Sequence, residues 1–175
     1  MQINLLELFE DTYKKNLNKV AVVEGQKSIT FGDLAAKAKS LASCLIKCFG
    51  GCKNRPIAVF LPKCIETVYS DLGITYSGNA YMNLDVKTPA ARISNILDLI
   101  KPQAIVTNTK FLKVLEQANQ NGIPVINVDE SVDVDDYVFD FLNDIIDTAP
   151  YCLINTSGST GTPKGVVLNH RSFFD

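Results

Sequence analysis

The residues best suited to chemistry lie in one short stretch, 156–165, after a predicted strand at 151–155. The stretch reads Thr-Ser-Gly-Ser-Thr-Gly-Thr-Pro-Lys-Gly. Glycines let the backbone approach a ligand closely, hydroxyls donate to phosphate oxygens, and successive backbone N–H groups in a tight turn bind anions. The lysine adds a positive charge at the end of the stretch. Together these residues predict a loop that holds a polyphosphate.

The stretch differs from the phosphate loop of GTPases and transport ATPases. That loop requires Gly-x-x-x-x-Gly-Lys followed by Ser or Thr, whereas here Pro163 replaces the second glycine and Gly165 replaces the hydroxyl that binds magnesium. An ordinary P-loop nucleotide triphosphatase is therefore disfavoured. Loops rich in Ser, Thr and Gly are often only surface connections. The fixed order of residues in this one favours a binding role instead.

The string 156–166 resembles the phosphate-binding loop of the adenylate-forming superfamily, written Ser/Thr-Ser-Gly-Ser/Thr-Ser/Thr-Gly-x-Pro-Lys-Gly-Val, and it matches at every specified position. The family includes acyl-CoA synthetases, luciferases and the amino-acid adenylation domains of nonribosomal peptide synthetases. Residues 28–34 resemble its early Leu-Thr-Tyr-x-Glu-Leu segment. Residues 77–92 resemble its Ala-Gly-x-Ala-Tyr-Val-Pro-Leu-Asp segment, which favours the amino-acid adenylation domains. Asn83 stands where the family usually has proline, and Asn155 where an aromatic residue is common.

The resemblance implies a two-step reaction. A carboxylate attacks the α-phosphate of ATP to give an acyl-adenylate and pyrophosphate, and the acyl group then passes to a thiol, either carrier-protein phosphopantetheine or coenzyme A. Donors fixed beforehand would stabilise charge on the leaving pyrophosphate. The resemblance implies Mg²⁺ with the nucleotide, on ligands outside this chain. The residues that it assigns to phosphate binding are Thr156, Ser157, Gly158, Ser159, Thr160, Gly161 and Lys164.

His170, the only histidine, follows the loop, as a histidine does in the family pattern. A general base is one interpretation of it. The other is a packing or capping role beside Asn169, at the predicted start of a helix, since a lone histidine often titrates near neutrality without doing chemistry. It is not included among the predicted site residues, and no catalytic residue or metal ligand is predicted.

Alternating elements precede the loop and must position it. Helical spacing predicts a helix over 5–13 capped by Asn4, and a second from Thr30, its cap, to the pair Gly50-Gly51. Strands are predicted at 19–23, 28–30, 57–61, 80–84, 104–107 and 125–128, and further helices at 64–76, from Thr88-Pro89 onward and at 111–119. Strands that alternate with helices predict an α/β fold with a mostly parallel sheet and flanking helices.

The segment 129–150 contains eight acidic residues and no Lys or Arg. Clustered aspartates can bind Mg²⁺ or Ca²⁺, but the spacing lacks the glycine and terminal glutamate of a calcium loop. We expect an acidic, solvated connector that like-charge repulsion holds open.

Composition limits the function classes. Of 175 residues 46% are hydrophobic and 21% charged, which is typical of a soluble globular protein. A net charge of −2 gives no footprint for nucleic acid, and no apolar run is long enough for a membrane span. Residues 1–10 lack the features of a secretory signal, so a cytoplasmic location is expected.

Five cysteines, an odd number, are expected to be free thiols. Cys44, Cys48 and Cys52 lie four residues apart. However, Gly50-Gly51 should break the helix before Cys52, and the spacing matches no common zinc site.

The sequence is predicted to be the N-terminal part of an adenylate-forming domain, spanning 1–175. Residues 169–175 begin a helix and stop within a turn. The resemblance implies several hundred further residues, with the acyl pocket, the adenine and ribose contacts and a mobile lid. The chain alone is therefore expected to be inactive. The alternative is a natural short protein that completes or regulates a split adenylating partner.

Overall fold

The computed structural model describes residues 4–119, 121–130, 144–157 and 163–174. Within them, helices and strands alternate. The helices are α1 (Leu5–Lys15), α2 (Phe31–Phe49), α3 (Ile65–Tyr76), α4 (Ala90–Ile100) and α5 (Leu112–Glu116). The strands are β1 (Val20–Glu24), β2 (Lys27–Thr30), β3 (Pro56–Phe60), β4 (Ala80–Leu84), β5 (Ile105–Thr107), β6 (Val125–Asn127), β7 (Pro150–Ser157) and β8 (Pro163–Asn169). A short 3₁₀ helix, His170–Phe173, follows β8.

Six strands form one sheet in the order β6-β5-β3-β4-β7-β8, and β1 and β2 form a separate antiparallel pair. The pairings from β6 through β7 are parallel, and β8 pairs antiparallel with β7. The predicted α/β fold with a mostly parallel sheet is confirmed. Because the parallel strands share one direction, their carboxyl ends lie along one edge of the sheet, where α/β proteins commonly bind ligands.

Helices cover both faces of the sheet, and β3 shows how the sequence arranges this. Ile57 and Val59 pack with residues of α2 and α3, whereas Ala58 and Phe60 pack with α4 and α5. Alternate side chains of a strand point to opposite faces, so an unbroken apolar run is needed for a strand buried on both sides. Helix α1 lies outside this sandwich and buries Leu6 against α2 and α3.

The predicted helix caps are present. The Asn4 side chain accepts the N–H of Glu7 at 3.1 Å, at the start of α1. The Thr30 hydroxyl accepts the N–H of Asp33 at 3.1 Å and donates to its carboxylate at 2.7 Å. Gly50 ends α2 with a φ of 61°, a conformation in which glycine avoids the strain that a Cβ would bring.

The structure differs from the prediction at three elements. Helix α4 begins at Ala90 and not at the predicted Thr88-Pro89, because Pro89 is its N-cap with a ψ of 141°, and no side chain caps this helix. Helix α5 ends at Glu116, short of the predicted 119. Strand β8 is not predicted, because its apolar run of Val166, Val167 and Leu168 is short and adjoins a glycine-rich stretch.

All five cysteines are free. Cys44 and Cys48 lie one turn apart on α2 with their sulfur atoms 4.0 Å from each other, and Cys52 lies beyond the end of the helix, as predicted. In the described part of the chain, no helix has the length and apolar character that crossing a membrane requires.

Candidate phosphate-binding site

The predicted loop joins the two arms of the β7–β8 hairpin. Ser157, the last residue of β7, lies opposite Pro163, the first of β8. Strand β7 is parallel to β4, with Tyr81 opposite Cys152. The turn of the hairpin therefore lies at the carboxyl edge of the parallel strands. That edge is the expected position for a ligand in an open α/β sheet.

Two of the predicted phosphate-binding side chains flank the base of the turn. Thr156 and Lys164 lie opposite each other, both exposed, and the Thr156 hydroxyl donates to the backbone oxygen of Lys164 at 3.3 Å. A hydroxyl turns about its C–O bond, so it can redirect this donor to an anion. The backbone of Ser157 belongs to β7. The other predicted residues, Gly158, Ser159, Thr160 and Gly161, lie outside the described residues.

The chemistry of this edge suits an anion rather than a metal ion. Lys164 and Thr156 offer a positive charge and a hydroxyl. Mg²⁺ prefers carboxylate and carbonyl oxygens. Among the described residues, no three His, Cys, Asp or Glu side chains are placed to share a metal ion. The described residues therefore fit a polyphosphate and offer no cage of their own for the magnesium that would accompany it.

Aromatic side chains hold the other end of the hairpin. The ring of Tyr151, in β7, lies 5.2 Å from that of Tyr81 in β4, and 5.0 Å from each of the rings of His170 and Phe173. Such edge and tilted contacts stabilise by about 0.5–1.5 kcal/mol each. The end of the hairpin away from the turn is thus fixed both to the sheet and to the 3₁₀ helix.

His170 is a buried packing residue. It is 1% exposed, and its Nδ1 accepts the backbone N–H of Leu5 at 3.2 Å. Burial lowers the pKa of the imidazole to about 4, so it is neutral at pH 7. Of the two interpretations, this burial favours packing. The ring is covered by protein, which is unlike a base that must reach a substrate.

Asn155 carries a feature that sequence reasoning missed. Both polar atoms of its amide are buried and have no hydrogen-bond partner. Leu153 packs towards α4, and alternation along β7 places Asn155 on the same face. It lies opposite Gly165, and a Cβ at Gly165 would come within 2.8 Å of Ile100 in α4. The sequence showed only that Asn155 departs from the family pattern.

Asp71 is the second residue that sequence reasoning missed. One carboxylate oxygen accepts the Asn83 amide at 3.0 Å, and the other is buried without a partner. Burial raises the pKa of this carboxyl to about 7, although the hydrogen bond from Asn83 opposes the shift. Tyr81 of β4 lies opposite Cys152 of β7, and the two strands are parallel. Asn83, two residues after Tyr81, therefore lies near the level of Ile154 in the hairpin. The available signal was an aspartate among the apolar residues of α3, together with a polar residue in β4.

The described end of the acidic connector is docked against the protein. The ammonium of Lys53 lies 2.6 Å from the Asp144 carboxylate, and the Arg171 guanidinium lies 2.6 Å from that of Asp147. Ile145 is 5% exposed and belongs to the core beneath α1. For residues 144–149 the expectation of an open, solvated segment is therefore wrong, because pairing with cations offsets the like-charge repulsion. Residues 131–143 of the predicted connector lie outside the described residues.

A sizeable cavity among the described residues lies elsewhere. It measures about 580 Å³ and is lined by α2, Tyr69 and the segment 125–130. Strands β6 and β8 form opposite edges of the sheet, so this cavity is remote from the hairpin. It contains none of the predicted phosphate-binding residues. The hairpin is assigned as the candidate site by its chemistry and its edge of the sheet.

Known proteins similar to this chain identify its family. The profile of the family described as AMP-binding enzyme matches residues 9–175. The nonribosomal peptide synthetase dtxS1 of Metarhizium robertsii is 32% identical over 174 residues, which are 96% of this chain and 2% of that protein. Gramicidin S synthase 1 of Brevibacillus brevis is 28% identical, over 94% of this chain and 15% of its own length. The chain thus spans a small part of these relatives.

Solved structures show the same fold. The nonribosomal peptide synthetase FmoA3, in a form bound to α-methyl-L-serine-AMP, superposes with a TM-score of 0.82 at 22% identity, over 97% of this chain and 18% of that one. The N-terminal subdomain of Klebsiella oxytoca NpsA gives a TM-score of 0.76 at 18% identity, over 97% of this chain and 42% of that one. Several of these relatives are nonribosomal peptide synthetases. We conclude from the profile match, the identity to dtxS1 and the shared fold that the chain belongs to the AMP-binding, adenylate-forming enzyme family.

Proposed function

We propose that the β7–β8 turn binds the β- and γ-phosphates of ATP, and that the protein activates a carboxylate as its adenylate. The observation that carries this proposal is the position of Thr156 and Lys164, which flank the turn at the carboxyl edge of the parallel sheet. A cation and a hydroxyl fixed on two paired strands are donors placed before the ligand arrives. Preplaced donors stabilise developing charge best, since they need no reorganisation.

The substrate class proposed is an amino acid, followed by transfer of the acyl group to a thiol of a carrier protein or of coenzyme A. Relatives named as nonribosomal peptide synthetases and a structural neighbour bound to α-methyl-L-serine-AMP support this. This activity is proposed for the whole protein, because the chain spans 2% and 15% of the length of the two relatives named above.

Within this scheme each part of the loop has one task. The Lys164 ammonium offsets negative charge on the phosphates as pyrophosphate leaves. The hydroxyls of Thr156, Ser157, Ser159 and Thr160 donate to phosphate oxygens, and Gly158 and Gly161 allow close backbone approach. Mg²⁺, carried with the nucleotide, would supply further charge neutralisation. The sheet fixes the two ends of the loop, where Ser157 pairs with Pro163.

The binding half of the proposal is tested by titrating Mg·ATP into the chain in a calorimeter. Lys164→Met removes the charge with little change of shape and should weaken binding at least about tenfold, which corresponds to one charge-assisted contact of about 1.5–3 kcal/mol. Thr156→Val should weaken it less. Lys113→Met is the matched control, since Lys113 is an exposed lysine of α5. Equal affinities for the Lys164 and Lys113 variants would contradict the assignment.

The catalytic half is tested on the whole protein. Exchange of labelled pyrophosphate into ATP should require an added carboxylate and should be reduced in Lys164→Met. If the protein hydrolyses ATP or GTP as fast without a carboxylate as with one, it is an ordinary triphosphatase instead. The chain by itself is expected to show no exchange.

A further inference from the structure

The first turn of α1 contacts the end of the hairpin arm that carries Lys164. The backbone N–H of Leu5 donates to Nδ1 of His170 at 3.2 Å. Beside it, the amide of Asn4 donates to the backbone oxygen of Ile145 at 2.9 Å. These residues are 165 and 141 positions apart in sequence. The start of the chain is therefore joined to the segments on both sides of the hairpin.

The contact uses a donor that every helix leaves over. The first N–H groups of an α-helix have no partner within it. In α1 the Asn4 side chain takes the N–H of Glu7, and His170 takes that of Leu5, the first helical residue. Because Nδ1 accepts, the proton of the neutral imidazole is carried by Nε2. The side chain thus acts as a hydrogen-bond acceptor buried at 1% exposure.

Strand β8 is held at this end as well as by its pairing with β7. It is an edge strand whose sheet partner is β7. At its far end, the N–H of His170 donates to Ala149 at 3.3 Å, that of Arg171 to Asp147 at 2.8 Å, and the His170 ring contacts Tyr151. Lys164 lies six residues before His170, nearer the turn. A strand rises about 3.3 Å per residue, so a shift at His170 moves the lysine along the same rigid ladder.

We propose that His170 is a positioning residue, which fixes β8 and hence Lys164 by accepting the first backbone N–H of α1. Its effect on nucleotide affinity rests on the phosphate-binding function proposed above. The inference that contact with α1 holds the backbone of β8 in place concerns this chain alone and does not depend on nucleotide binding. It makes the first helix a part of the phosphate-binding apparatus, although it contacts none of the described residues of the loop.

The test removes the backbone N–H of residue 5 by substituting proline, which has none. Proline is favoured at the first position of a helix, and Asn4 already has the extended backbone (φ −145°, ψ 165°) that a following proline requires. Leu5→Pro therefore removes the N–H that His170 accepts and keeps the helix. Leu5→Ala, which shortens the same side chain and keeps the N–H, is the matched control. On the acceptor side, His170→Asn retains an acceptor near Nδ1, whereas His170→Phe retains a ring without one.

Two readouts separate the inference from the proposed function. In Leu5→Pro and His170→Phe, amide hydrogen exchange at 165–169 should be at least about tenfold faster, with exchange in α2 unchanged. In Leu5→Ala and His170→Asn it should stay near the original rate. Mg·ATP affinity should fall severalfold in the first pair only. Unchanged exchange at β8 in Leu5→Pro would overturn the inference. If neither the unaltered chain nor the whole protein binds Mg·ATP, the proposed function fails, and the exchange rates alone decide this inference.

Discussion

Two buried polar regions of the molecule differ in how completely their groups are paired. Around α1, the Glu10 carboxylate accepts hydrogen bonds from Tyr76 at 2.7 Å and pairs with Lys39 at 2.8 Å, and the Lys39 ammonium also donates to Tyr13 at 2.9 Å. Between α3 and the hairpin, one oxygen of Asp71 has no partner. The amide of Asn155, on the hairpin itself, is likewise unpartnered.

The difference matters because a buried polar group without a partner costs about 1–3 kcal/mol. The α1 region is stabilised by bonds within the chain. Burial alone would raise the pKa of Glu10, but hydrogen bonds from Lys39, Lys14 and Tyr76 hold it below its ordinary value. Asp71 has one amide as its partner, and its pKa rises instead. Unpaired groups of this kind commonly mark a surface that ligands or further protein complete.

Two buried groups, His170 after the hairpin and Asp71 in α3, respond oppositely to pH. His170 has a pKa of about 4 in the folded protein against 6.5 for a free histidine, so the unfolded chain binds the extra proton and stability increases from pH 4 to 6.5. Asp71 has a pKa of about 7 against 3.8, so the folded protein binds the extra proton and stability decreases from pH 4 to 7. The two contributions partly cancel in the unaltered protein, and single substitutions should separate them.

The largest effect is expected at the paired region. Lys39→Met leaves Glu10 buried without its main counter-charge and should lower the free energy of unfolding by about 3–5 kcal/mol. Lys14→Met removes the other lysine that pairs with Glu10, at 2.9 Å, and should cost less than about 1 kcal/mol. The two differ because the Lys39 side chain is 7% exposed and that of Lys14 is 62% exposed. Urea unfolding of both variants measures this, and equal losses would show that burial does not strengthen the pair.

The next effect is expected at the unpaired region and has the opposite sign. Asp71→Asn removes a carboxyl that must ionise inside the protein, so at about pH 8 it should stabilise by on the order of 2 kcal/mol. The gain should shrink steadily as the pH falls from 7 and be small below about pH 4, where both the folded and the unfolded protein hold the carboxyl protonated. The check is urea unfolding across this pH range.

Asp98→Asn is the matched control for that measurement. Asp98 also accepts an asparagine amide, that of Asn121, but it is exposed on α4. Its substitution should leave the pH dependence of stability unchanged. If Asp71→Asn and Asp98→Asn give the same profile, then the Asp71 carboxyl is not the source of the decrease with pH.

The sequence was sufficient for features that depend on neighbouring residues. Asn4, Thr30 and Gly50 were recognised as helix boundaries, since caps act within three or four positions. The apolar run of β3 predicted a strand, and the alternation of strands with helices predicted a mostly parallel sheet. Strand β8 was missed because its pairing with β7 is recognisable only once the hairpin is known.

Features that depend on distant residues were beyond the sequence. The bond between Leu5 and His170 spans 165 positions, and no local pattern indicates it. The unpartnered atoms of Asp71 and Asn155 follow from how α3, α4 and the sheet pack around them. The acidic connector was predicted to be open from its own charges alone. Its docking depends on Lys53 and Arg171, which lie outside the segment.

The smallest effects on stability are expected at two glycines, Gly73 in α3 and Gly165 in β8, which report how tightly the helix pair and the hairpin are packed. A Cβ at Gly73, in α3, would lie 2.7 Å from the backbone oxygen of Ala38 and 3.0 Å from Leu41 in α2. Backbone cannot turn aside, so Gly73→Ala must separate the helices and should cost about 1–2 kcal/mol, after the gain of about 1 kcal/mol in helix propensity. A Cβ at Gly165, in β8, would meet only the end of the Ile100 side chain at 2.8 Å. That side chain can change rotamer, so Gly165→Ala should alter stability by less than about 0.5 kcal/mol.

Urea midpoints of the two variants, read with their slopes, distinguish close packing from loss of cooperativity. A larger loss for Gly165→Ala would mean that the hairpin, and not the helix pair, is the more tightly packed region.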